Sequence, residues 1–315
     1  MRKRDLCDTF RSLSHFVWTK LRQCYENSIR WEETTITDHI LLTLRRKHPE
    51  EILIHKFTRQ QESQTGADME FWLTGSSRKW FGLRIQAKVI EPSSLKYPYL
   101  YSRNNRQQYQ YDALIQSSLN SNPKVVPLYC LYTFHPCLDA WPRRRYYHRR
   151  VCPDGCRCCI DCLGNYRCCI YYLELQILAQ LCPLDCLCHK GRPRPSSFGC
   201  SWIPATLVKE LAQQGQPTAL RDLFRYMSPW CRTVCGPTGD LPQRAFHWWQ
   251  SVGNTERGDA GVELVEEPPL YVQQLIGGGI PRMPEERPMS ALVIIKESSD
   301  EEATRNDRKG TRQQW

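Results

Sequence analysis

The chain is 315 residues long, 41% hydrophobic, with 17 cysteines and a formal net charge of +10. That apolar content is enough for one large domain or two smaller ones, and no apolar run approaches the roughly 20 residues that span a bilayer. Basic residues open the chain in MRKRDLCDTF with no apolar stretch behind them, so no secretory signal is read. The expectation is a soluble intracellular protein of the cytoplasm or nucleus, without a membrane partner.

Charge is unevenly placed. Residues 1–150 hold 25 Lys and Arg against 14 Asp and Glu, whereas residues 251–315 hold 8 against 12. A basic first half fits a polyanionic partner such as DNA, because neutralisation of phosphates by Lys and Arg supplies most non-specific nucleic-acid affinity. A solvated basic surface is the plainer reading of the same imbalance.

In chain order, residues 5–26 place Leu6, Phe10, Leu13, Val17 and Leu21 at helical intervals, which predicts an amphipathic packing helix. The segment TTITDHILLTLRRKHP carries a Thr-x-x-Asp capping box at Thr35 and Asp38, then Ile36, Ile40, Leu41 and Leu44 at helical spacing, and stops at Pro49. A helix over about 35–48 follows. EILIHKFT predicts a strand at 51–58. Residues 67–74 set Met69, Phe71 and Leu73 against Asp68 and Glu70, and residues 79–90 set Leu83, Ile85, Ala87 and Val89 against Arg84, Gln86 and Lys88. Strict alternation gives each strand one apolar and one polar face. The short turn TGSSRK between them predicts an antiparallel hairpin, with 51–58 pairing on 67–74.

RQQYQYDALIQSSL predicts a helix over about 105–120 with Tyr109, Leu114 and Ile115 buried, and Gln107 and Gln110 on its polar side. KVVPLYCLYTF predicts a strand near 124–134, where Pro127 argues for an edge position or a bulge. The order helix, three strands, helix, strand predicts an α/β fold with a mixed sheet occupying residues 1–137 together with the N-terminal helix.

Residues 138–199 change character and read as a Cys-rich insertion. A C-P-x-x-C-x-C pattern occurs twice, as CPDGCRC at 152–158 and CPLDCLC at 182–188. Without a secretory signal disulfides are not expected, and metal binding is the better reading. Thiolates of Cys152, Cys156, Cys158, Cys182, Cys186 and Cys188 suit a structural zinc ion, which a compact loop without a core needs as a staple. The spacings are not the common C-x2-C knuckle, so incidental cysteines remain the alternative. Residues 200–297 read as an α-rich C-terminal extension in which SALVIIKE is a short docking element, and residues 298–315 as a disordered tail.

The polar face of the hairpin poses the functional question. Asp68 or Glu70 opposite Arg84 or Lys88 is an ordinary cross-strand ion pair on a half-exposed sheet. The same residues in this element order also resemble the PD-(D/E)XK nuclease superfamily, whose core is αβββαβ, with an acid on the second strand and Glu-x-Lys or Gln-x-Lys on the third. Here these are Asp68 and Gln86-Ala87-Lys88, the glutamine form being similar to Mrr-type restriction endonucleases. The longer pattern EETTITD … TGADMEFW … RIQAK … FGCSW … SPW resembles a family of uncharacterised fungal and bacterial proteins, over roughly residues 30–135 and 198–300. Ala67 stands where the superfamily's motif has proline.

That resemblance implies a restriction-endonuclease-like core and a metal-dependent endonuclease, a hydrolase of DNA phosphodiester bonds, in defence against foreign DNA. It implies Mg2+ or Mn2+ held by the Asp68 carboxylate, the Gln86 amide oxygen and the Ala87 carbonyl, with Lys88 orienting water or stabilising developing charge. Glutamine in place of glutamate removes one negative charge, which Glu70 on the same face restores, or an acid at the first core helix: Glu33, directly before the helix cap, rather than Glu32. Glu62 reads as a solvated loop acid. The competing readings are a catalytically idle nuclease-fold module that binds nucleic acid or protein, and a zinc-stapled interaction protein. Oligomeric state is not legible in the sequence.

Overall fold

The computed structural model describes residues 5–57, 67–91, 93–104, 107–135, 195–236, 238–252, 261–282 and 289–297. The zinc ligands expected at Cys152, Cys156, Cys158, Cys182, Cys186 and Cys188 lie outside these residues, as do Glu62 and the C-terminal tail. Helix α1 runs Leu6–Glu26 and α2 Glu33–Lys47, followed by β1 (Ile52–Lys56), β2 (Met69–Thr74), β3 (Trp80–Val89), α3 (Gln110–Leu119) and β4 (Val126–Tyr132). After them come β5 (Cys200–Pro204), α4 (Ala205–Gln213), α5 (Leu220–Leu223), β6 (Ser228–Pro229), α6 (Leu241–Val252), α7 (Leu270–Ile276) and β7 (Ala291–Lys296). The fold is α/β with a mixed seven-stranded sheet in the order β1-β7-β2-β3-β4-β5-β6. Among the described residues no helix is long and apolar enough to cross a membrane.

The hairpin forms as expected: β2 and β3 pair antiparallel, with Glu70 opposite Arg84 and Phe71 opposite Leu83. The expected pairing of 51–58 with 67–74 does not form. Strand β1 pairs antiparallel with β7, and β7 pairs parallel with β2. The run ALVIIK is apolar on both faces and β-branched, which suits a strand buried between two neighbours better than a short docking element. The extension is thus not merely α-rich, since it supplies β5, β6 and β7.

Other expectations shift locally. Helix α2 starts at Glu33, with the Ile36 amide already donating to Glu32 O at 3.1 Å, so Thr35 sits inside the first turn rather than capping it. Helix α3 starts at Gln110 and buries Tyr111, Ala113 and Leu114, leaving Tyr109 and Ile115 half-buried. Strand β4 lies between β3 and β5 instead of at an edge. Pro127 is its second residue, near the strand's start, where a missing ladder donor is better tolerated.

Contacts divide the chain into two compact units. Each draws on both the expected core, 1–137, and the expected extension, 200–297. The first contains Met1–Ile40, Ala87–Ser102 and Tyr129–Pro237. Here Asp5 caps α1 by accepting from the Cys7 amide at 3.0 Å, and Phe10, Leu13, Val17 and Leu21 are buried as their spacing requires. Gly199 lets α1 approach closely: a Cβ there would lie 1.9 Å from Ser14 O. Ser14 Oγ in turn accepts from the Cys200 amide at 3.1 Å. Trp230 donates its indole N–H to Phe10 O at 2.8 Å while the two rings pack 4.4 Å apart.

That packing brings Cys7 and Cys235, 228 residues apart in sequence, to a Cα separation of 5.2 Å, where they form a disulfide. This corrects the expectation that thiols in this chain stay unpaired. Long-range helix packing set the pair, and no local spacing could announce it.

The second unit contains Leu41–Gln86, Arg103–Leu128 and Thr238–Trp315. Its core gathers Trp72, Val125, Tyr271, Val272, Leu292 and Ile294. The hairpin tip is fixed by Asp240, whose Oδ2 accepts from the Ser77 amide at 2.7 Å. The same carboxylate lies 2.6 Å from where a Cβ on Gly75 would stand.

Candidate functional site

The polar face of β2 and β3 is not half-exposed. Every residue of β2 is buried, and so is every residue of β3 except its two ends. Gln86 keeps 5% and Lys88 8% of its accessible surface, while Glu70 and Arg84 keep none. Polar groups taken from water to this extent must find partners.

Glu70 finds four. Its Oε2 accepts from Arg84 Nε at 2.8 Å and Nη2 at 2.6 Å, and its Oε1 accepts from Trp72 Nε1 at 2.7 Å and Tyr271 OH at 2.5 Å. Arg84 Nη1 further donates to Ser117 O on α3. Two donors on each carboxylate oxygen fill the acceptor capacity of the group. The expectation of Glu70 as a metal ligand therefore gives way to a structural role, the cross-strand ion pair that the plainer reading describes. Tyr271 was not legible as a partner, since it lies 201 residues downstream, whereas Trp72, two residues on in the same strand, shares the face of Glu70 by alternation.

Two residues further along the strands the arrangement differs. Asp68 stands immediately before β2 and is half-buried. Its amide donates to Ile85 O at 2.8 Å, and its carbonyl accepts from Ser290 at 2.9 Å and Ala291 at 3.1 Å. Backbone bonds on both sides fix where this carboxylate projects. Gln86 Nε2 donates to Asp68 Oδ2 at 2.6 Å, so the sequence-predicted pair Asp68 and Gln86 is brought together across the hairpin.

In the first unit, Lys88 Nζ stands 4.0 Å from Glu33 Oε2, at the outer limit of an ion pair. Glu33 is the first residue of α2, where a carboxylate is favoured by the helix dipole. Thr37 Oγ1, one turn on, donates to Glu33 O at 3.0 Å and meets Tyr132 OH at 2.9 Å. Burial of Tyr132 raises its phenol pKa well above the usual value, with Cys130, Cys200 and the Glu33 carboxylate acting in the same direction and the Thr37 hydroxyl opposing them. Thr37 and Tyr132 carry no signal in the sequence, because one reads as helix surface and the other as an ordinary strand aromatic.

Among the described residues no three His, Cys, Asp or Glu side chains gather as ligands for a metal ion. The hard oxygen that the hairpin offers is the Asp68 carboxylate, to which Gln86 turns its amide nitrogen rather than its oxygen. A carboxylate oxygen suits Mg2+ or Mn2+, which takes one or two carboxylates and keeps much of its water, rather than zinc with its thiolate and imidazole set.

A family model described as a family of unknown function, DUF6615, matches residues 6–301, and the chain belongs to that family. No curated protein and no solved structure matches it.

Proposed function

We propose that this protein is a metal-dependent endonuclease that hydrolyses DNA phosphodiester bonds, and that it acts in defence against foreign DNA. The observation that carries this reading is the Asp68–Gln86 contact: an acid at the start of one strand, locked by its backbone, facing a glutamine on the next. Asp68 would hold Mg2+ or Mn2+ through its carboxylate, and Gln86 would join it through its amide oxygen on turning out of the Nε2–Asp68 hydrogen bond. Such an ion, when bound, supplies Lewis acidity at the phosphoryl group and a water acidic enough to attack at neutral pH.

The remaining work belongs to the chain. Lys88, two residues beyond Gln86 on β3 and therefore on the same strand face, would supply the cation that stabilises developing phosphoryl charge. Glu33 offers that ammonium a carboxylate partner. The excess of Lys and Arg in residues 1–150 supports a DNA partner through phosphate neutralisation.

One observation favours a second reading, in which the same fold binds nucleic acid without cutting it: Gln86 and Lys88 are almost fully buried. Incubation of the purified chain with supercoiled plasmid separates the two. The nuclease reading expects nicking in Mg2+ that stops with a chelator and is lost in Asp68→Asn. Binding of plasmid without any nicking in Mg2+ or Mn2+ would leave the idle module.

A further inference from the structure

We propose that Thr37 and Tyr132 are positioning residues, a two-hydroxyl clamp that ties the first turn of α2 to β4 and so sets Glu33 beside Lys88. The inference rests on the nuclease reading above and assigns those two residues a part in it.

The direction of the hydrogen bonds follows from counting protons. A threonine hydroxyl has one proton to give. Thr37 Oγ1 gives it to Glu33 O at 3.0 Å. At the 2.9 Å contact Tyr132 must then be the donor, which makes a chain from the Tyr132 hydroxyl through Thr37 to the Glu33 carbonyl. Tyr132 is buried on β4, a strand held in the interior of the sheet, so the chain starts from a rigid point. Its other end is the first residue of a helix, where amides lack intrahelical partners and the backbone frays.

The ion pair cannot set this position itself. At 4.0 Å the Lys88–Glu33 contact is long, and Glu33 keeps 25% of its side chain exposed. Solvent screening weakens a partly exposed pair of this kind. The clamp is shorter, better shielded and attached to the backbone of Glu33, so it fixes where the carboxylate starts from. Burial explains why Tyr132 stays protonated as the donor, since its phenol is held well above its ordinary pKa.

The test uses the full chain and three near-isosteric variants: Thr37→Val and Tyr132→Phe, which each remove one hydroxyl, and Thr37→Ser, which keeps it. Amide exchange should accelerate in the first turn of α2 in Thr37→Val and Tyr132→Phe and return to the parent rate in Thr37→Ser. In plasmid nicking, the rate at saturating Mg2+ should fall by about ten- to a hundredfold in Thr37→Val and Tyr132→Phe, as misplacement of a group that holds a charge-stabilising residue commonly does. The Mg2+ concentration for half-maximal rate should change little, and Thr37→Ser should recover the parent rate. A parent that nicks, with Thr37→Val indistinguishable from it in rate and exchange, overturns the clamp alone. A parent that does not nick in Mg2+ or Mn2+ overturns the nuclease reading, and the clamp's part in it.

Discussion

Glu70 and Lys88 lie on the same polar face and meet different fates. Glu70 is enclosed by Arg84, Trp72 and Tyr271, all of its oxygens used, so Glu70→Gln leaves a buried guanidinium without its counter-charge. Denaturant unfolding should show a loss of about 3–5 kcal/mol, and the double variant Glu70→Leu/Arg84→Met should recover much of it by removing both charges together. Lys88 is buried to nearly the same degree, so truncation to alanine would open a cavity. Methionine keeps the length of the stem and is the cleaner probe of the charge. His135 gives a pH prediction: burial pushes its imidazole down to about 4, below the roughly 6.5 of an unfolded chain. The neutral ring then stabilises the fold above pH ~6.5, and that contribution, about 3 kcal/mol, is lost as pH falls through 4. Unfolding free energy should fall over this window in the parent and more shallowly in His135→Gln. Alternation of residues made the polar face legible, and the family resemblance singled out Asp68 and Gln86 on it. Its burial was not, because alternation describes which residues share a face, not what covers it.

Local pattern was also sufficient for the elements built from it: the stripe of α1, the hairpin of β2 and β3, and the order of helix, three strands, helix and strand. It failed where an element depends on a distant one. Strand β7 reads locally as a short apolar run, yet its register with β1 and β2 makes it interior to the sheet. The start of α2 moved because Thr35 and Asp38 offer a capping box that the Glu32 carbonyl, already accepting from Ile36, pre-empts. In FGCSW and SPW, the residues that can be explained structurally serve packing. Gly199 is the sharpest case, with Ser14 O at 1.9 Å from any added Cβ. Gly199→Ala must push α1 away, and a stability loss of about 1–3 kcal/mol with unchanged metal affinity is the expected outcome, measured by unfolding and by Mn2+ titration.

At the scale of the whole chain, the Cys7–Cys235 disulfide closes a loop of more than two hundred residues within the first unit. Cross-links of that span restrict the unfolded ensemble strongly, so Cys7→Ser should cost about 2–5 kcal/mol under non-reducing conditions. Thiol titration of the denatured parent should show two fewer reactive cysteines before reduction than the sequence contains if every other thiol is free. The central proposal is phosphodiester hydrolysis promoted by Lys88. The most direct measurement is the rate of Mg2+-dependent plasmid nicking by Lys88→Met, with DNA affinity and unfolding midpoint recorded on the same preparation. Nicking should fall by about two to three orders of magnitude, while DNA binding and folding stay close to those of the parent. Nicking at the parent's rate would contradict the account and leave Lys88 as a buried cation beside Glu33.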